Sequence, residues 1–102
     1  MEIIDGYNSG GDGRKTVTTA GTAVALSDTS VPCRRITVQA ERDNTGFIAV
    51  GFSSSVNATA GSERGAILGA GEAVDVYTSN LDKVQINSTV NGDGVTFVYY
   101  SG

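Results

Sequence analysis

What most constrains this chain is a rhythm: short runs rich in Val, Ile, Thr, Phe and Tyr, each broken after a few residues by a cluster of Gly, Ser, Asn or Asp. Runs of that kind make strands and clusters of that kind make turns. No segment carries a sustained helical period to compete with them. Strands are expected near Lys15 to Thr19, Thr22 to Ser27, Arg34 to Ala40, Gly46 to Phe52, Ala66 to Leu68, Ala73 to Thr78, Lys83 to Ser88 and Val95 to Tyr100. Seven or eight short strands bury their apolar sides by packing one antiparallel sheet on another, so the expected fold is all-β, a compact β-sandwich or jelly roll. NGDG at Asn91 to Gly94 and LGAGE at Leu68 to Glu72 offer residues that tolerate positive φ, as tight hairpins demand. The serine- and glycine-rich stretch from Ser53 to Gly65 reads as a long loop at one end. A chain of 102 residues has material for one such domain.

The alternation also assigns faces. In RRITVQA, Ile36 and Val38 fall on one side with Thr37 and Gln39 on the other; Val84 and Ile86 point in while Lys83, Gln85 and Asn87 point out; Val74 and Val76 add to the core opposite Asp75. Two strands break the rule. GFIAVGF has Phe47 and Ala49 on one face and Ile48, Val50 and Phe52 on the other, and VTFVYY keeps Val98 and Tyr100 on the side where solvent is expected. A sandwich buries one face per strand, so a second apolar face implies a further cover, either this chain's arm or a neighbouring subunit, of which the subunit is the expected one.

Ahead of the strands, Asn8 to Gly13 reads NSGGDG, a flexible hinge by composition, preceded by the large apolar residues Ile3, Ile4 and Tyr7. The division expected is therefore a Gly-rich N-terminal arm over residues 1–14 and a single β-sandwich over 15–102. The arm's three anchors dock on a neighbouring subunit or belong to a plain linker.

Composition narrows the chemistry. The chain has no His, which removes Ser-His-Asp and Cys-His catalysis and His-ligated metals. Its 7 Lys and Arg against 11 Asp and Glu, a net charge of -4, argue against gripping nucleic acid or anionic lipid through a basic face. No run approaches the roughly 20 apolar residues of a membrane span, and the acidic first residues lack a secretory signal, so a cytoplasmic start is expected. Asn8 with Asp12, and Asn91 with Asp93, lie in short Asp/Asn/Gly loops that fit calcium only loosely and turns equally well. GFSSS at Gly51 to Ser55 lacks the second glycine of a nucleophile elbow, and no pair of acids stands out for glycoside hydrolysis. Asn57-Ala58-Thr59 and Asn87-Ser88-Thr89 match the glycosylation pattern but read as inert without secretion. Cys33, the single cysteine, is either a small buried apolar residue or a thiol activated by Arg34 and Arg35. Those two arginines and Arg42 form the one basic cluster, either a solvated edge or a surface for an acidic partner. The reading is a protein without catalysis or cofactor.

The segments TAGTAVALSDTSVPCRRITVQA, NTGFIAVGFSS, LGAGEAVDV and NLDKVQINSTVNGDGVTFVYY, spanning about Thr18 to Tyr100, resemble small structural proteins of tailed-bacteriophage virions. That resemblance implies a jelly roll or β-sandwich made in the host cytoplasm and carried on the outer capsid surface, where decoration or cement proteins clamp neighbouring major capsid subunits. It implies a homo-oligomer, dimer or trimer, with the major capsid protein as partner. The residues expected at the contacts are Ile3, Ile4, Tyr7, Arg34, Arg35, Arg42, Ile48, Val50, Phe52, Val98 and Tyr100. The alternative is a receptor- or glycan-binding module on a tail or fibre, for which the aromatic supply of 4 Tyr, 3 Phe and no Trp is thin.

Overall fold

A computed structural model describes residues 10–101 of the chain; Ile3, Ile4 and Tyr7 lie outside them. The described residues form eight strands and one 3-10 turn: β1 Gly10–Thr16, β2 Val24–Ala25, β3 Arg35–Ala40, β4 Ile48–Gly51, β5 Ala66–Leu68, β6 Ala73–Tyr77, the turn Leu81–Lys83, β7 Gln85–Ser88 and β8 Gly94–Tyr100. Sheet A has the order β1-β8-β3-β6 and sheet B the order β2-β7-β4-β5, antiparallel throughout. The pairs β1 with β8, β2 with β7, β3 with β6 and β4 with β5 are those of one long hairpin rolled up on itself, which is the jelly-roll arrangement.

That arrangement explains what the tight turns do. Gly92 in NGDG and Gly71 in LGAGE take positive φ, 89° and 81°, as those sequences require. Yet β7 and β8 belong to different sheets, as do β5 and β6, so these turns are arches between the layers and close no hairpin. Among the described residues the only consecutive strands that pair are β4 and β5, and they are joined by the long loop.

Ile36, Val38, Ala40, Val95 and Phe97 of sheet A meet Ile48, Val50, Leu68, Val84 and Ile86 from the sheet B side, with Val17, Leu26, Cys33 and Leu81 closing the ends. Val74 and Val76 pack on this core half-buried. The two-faced strand β4 is covered from within the chain. Ile48 and Val50 face the core; Ala49, on the opposite face, lies under Val56 and Ala58 of the long loop, with Ala23 and Ile67 packed alongside. The subunit contact expected over this strand is thus replaced by residues 53–65 folding back across sheet B. Asn87, expected on the solvent side, is indeed on the outer face of β7, but the loop buries it there. Its Nδ2 donates to the Val56 carbonyl at 2.9 Å, and its Oδ1 accepts from the N–H groups of Gly21 at 3.1 Å and Ser88 at 2.8 Å. One amide therefore ties two loops to the sheet.

The hinge expected at Asn8 to Gly13 is, over Gly10 to Gly13, the start of an edge strand. β1 pairs with β8 along its whole length, Gly10 opposite Tyr100 through Thr16 opposite Gly94. The strand forms because its glycines are needed: a Cβ on Gly13 would stand 2.8 Å from Cζ of Phe97, and one on Gly11 2.6 Å from the Tyr99 hydroxyl. The aromatic rings of β8 lie across the empty inner positions of β1 and fill the volume its side chains omit.

Candidate functional site

The outer face of sheet A follows from register. Arg35, Thr37 and Gln39 of β3 alternate with the core residues and point outward, so their partners do too: Tyr100, Val98 and Thr96 on β8, Tyr77, Asp75 and Ala73 on β6. Across β1 the same rows continue through Gly10, Asp12 and Arg14. One end of the face is thus an aromatic row, Tyr100, Arg35, Tyr77, and the next row is Asp12, Val98, Thr37, Asp75.

The aromatic row is organised by Arg35. Its guanidinium lies 4.2 Å from the centre of the Tyr100 ring, a stacked cation–π contact. The side chains of Tyr100 and then Tyr77, with the nearby Asp75 charge, raise the pKa of Arg35 above its ordinary value. Tyr77 is 71% exposed and Val98 43%, on a sheet whose inner face is closed. Beside them Thr37 Oγ1 donates to Asp75 Oδ1 at 2.7 Å, and Gln39 Nε2 donates to the Gly71 carbonyl at 2.9 Å. Asp12, Gly13, Thr37, Gln39, Thr96, Phe97 and Val98 line a shallow depression of about 280 Å³. A second one, about 380 Å³, continues past Thr96 to Arg14, Glu41, Arg42 and Asp43; there Arg14 and Glu41 form a 2.9 Å ion pair.

Of the residues expected at contacts, Arg35, Val98 and Tyr100 share this face. Ile48 and Val50 do not belong with them: both are sealed between the sheets and closed to any partner. Phe52, 61% exposed, sits beyond the end of β4 in the other sheet. The expected basic cluster also divides. Arg34 and Arg35 stand at the start of β3 and Arg42 two residues past its end, with the strand, about 20 Å long at 3.3 Å per residue, between them. Arg34 is exposed, its N–H donating to the Tyr100 carbonyl at 2.8 Å. Sequence reasoning misses Tyr77, and also Phe47 at 53% exposure; the period-2 pattern of AVDVY places Tyr77 beside Asp75 on the polar face, and that is the available signal.

Other candidates resolve into structure. Asp93 is buried and accepts from the N–H groups of Gly46 at 2.8 Å and Thr45 at 3.2 Å, while Asn91 Oδ1 accepts from Ala20 N–H at 2.7 Å, so this Asp/Asn pair secures turns. Among the described residues no group of three or more His, Cys, Asp or Glu side chains could hold a metal ion. Cys33 is buried, its thiol 3.6 Å from the Thr78 carbonyl, and burial raises its pKa, which agrees with the small buried residue and opposes the alternative of a thiol activated by the flanking arginines. No family model, no curated protein and no solved structure matches the chain at a significant level.

Proposed function

We propose that this jelly roll is a non-enzymatic virion structural protein of a tailed bacteriophage, a decoration or cement protein that seats on the outer surface of the head, bridges major capsid subunits and works as a homo-oligomer. The observation that carries the reading is the outer face of sheet A, where exposed Tyr77 and Val98 flank an Arg35 already stacked on Tyr100. Tyr and Arg are among the residues that dominate binding energy at protein contacts, and a pre-stacked arginine loses little freedom when a partner covers it. The rows of Thr37, Asp75, Gln39 and Asp12 supply the polar surround such a contact needs. Jelly rolls serve both viral capsid and lectin domains, an analogy of fold that leaves function to the site. The resemblance of the strand-forming segments to phage virion proteins supports the capsid side.

A glycan-binding role on a tail or fibre is the second reading, and the same face favours it differently. A sugar ring would stack on Tyr77 while Asp75, Thr37 and Gln39 meet its hydroxyls. Co-sedimentation separates the two. The protein should bind expanded heads that lack it, saturably, and leave unexpanded proheads unbound; Tyr77→Ala should weaken that binding about tenfold or more, the scale of a contact anchor. Failure to bind either particle, together with a signal on a glycan array that Tyr77→Ala abolishes, would replace the capsid reading with the second.

A further inference from the structure

We infer that the free edge of β1 is the self-association seam of this protein, pairing antiparallel with β1 of a second copy about a two-fold axis through Gly13. The inference rests on the homo-oligomer part of the reading above and on no assumption about what the outer face binds.

Among the described residues, the two sheets have four edges: β1 and β6 in sheet A, β2 and β5 in sheet B. An open edge carries unpaired N–H and C=O groups and pairs with another strand unless its length, shape or charge forbids it. β2 has 2 residues and β5 has 3, too short for a ladder of their own. β6 has 5, AVDVY, but its midpoint is Asp75, so full-length pairing with its own copy sets two carboxylates directly opposite, and any shifted register shortens the ladder. β1 has 7 residues, about 23 Å at 3.3 Å per residue, and its sequence GGDGRKT is built differently.

Centred on Gly13, antiparallel pairing sets Asp12 opposite Arg14 of the second copy and Arg14 opposite its Asp12. Both pairs lie on the outer face, since Asp12 and Arg14 stand opposite Val98 and Thr96. Gly13 meets Gly13, and Lys15, on the inner side, meets Gly11, over which the Tyr99 ring lies. The neighbouring registers lose this match: centring on Asp12 opposes two carboxylates, and centring on Arg14 opposes two guanidinium groups. Asp12 has no ion-pair partner among the described residues, and Arg14, paired there with Glu41, keeps a 69% exposed side chain. The pairing satisfies both and adds roughly six to eight backbone hydrogen bonds, joining two four-stranded sheets into one of eight. The two aromatic faces then lie side by side on one surface, so a partner array meets two copies of each row at once.

The test uses sedimentation velocity of the full chain up to about 0.5 mM, where even a weak seam would show. Wild type should reach dimer; Asp12→Arg and Arg14→Asp should each weaken association about tenfold or more, because each turns two attractive cross-strand pairs into repulsive ones. An equimolar mixture of the two variants should dimerise again. In the mixed pair the arginine introduced at position 12 of one copy faces the aspartate introduced at position 14 of the other, and the unaltered Arg14 of the first faces the unaltered Asp12 of the second. Thermal melts of each variant check that the fold is kept, with a small loss expected for Arg14→Asp, which gives up its ion pair with Glu41. A wild type that stays monomeric over the whole range, variants that associate like wild type, or a mixture that fails to recover association would each overturn the seam. A monomer that still binds expanded heads would sink the seam and leave the capsid reading standing.

Discussion

Asn87 offers the sharpest check on how the outer layer of sheet B is held. Asn87→Ala removes the donor to the Val56 carbonyl and one of the two acceptors of the Gly21 N–H, which keeps the Ser88 carbonyl at 3.2 Å; both groups lie in loops packed over the sheet. Each lost bond costs about 1–1.5 kcal/mol net, and more where the abandoned group stays out of water. Truncating the buried side chain also leaves a small void beside Val56 and Ala58. The sum is about 3 kcal/mol, a shift of more than a hundredfold in the unfolding equilibrium and a large fraction of the roughly 5–15 kcal/mol a domain usually has. Urea unfolding measures it, with the midpoint falling and the slope unchanged. Gln85→Ala, two residues earlier on the same face but outside that network, should change stability by less than about 0.5 kcal/mol. If Asn87→Ala costs no more than Gln85→Ala, the loop does not hang on this amide and the account of the covered face is mistaken. Limited trypsin digestion adds a local readout, because cleavage after exposed Arg64 should quicken once the loop is untied.

Gly13→Ala should destabilise by about 1–3 kcal/mol, since its new Cβ presses on the Phe97 ring in a closed core; an unchanged thermal midpoint would mean the ring moves aside freely. Cys33 should react with a thiol reagent only after denaturation. Because burial raises its pKa above the usual 9.0, the folded protein keeps the proton over a range where the unfolded chain has lost it. Stability therefore falls as pH rises from that value through the folded pKa, an effect Cys33→Ala should abolish in urea titrations between neutral and alkaline pH.

Much of this fold is legible before any coordinates. Alternation and turn chemistry are local, so RITVQA and AVDVY declare their faces and the glycines of NGDG and LGAGE declare their turns; seven or eight strands are expected and eight occur among the described residues. What local pattern cannot carry is which strand lies beside which, and the corrections all trace to that. GGDGRKT looks like a hinge until Phe97 and Tyr99, from the far end of the chain, lie across its glycines. The apolar second face of β4 looks like an interface until Val56 and Ala58 fold over it, and Asn87 looks solvated until that loop arrives. Arg35, Val98, Tyr100 and Tyr77 become one surface only through the register of three strands. The order of residues is enough to fix most of the elements and their inward sides, because a two-residue period acts within a strand; β1, poor in side chains, is the exception. The covers, the shared face and the free edge arise only on folding, because they depend on long-range pairings whose closure no local pattern encodes.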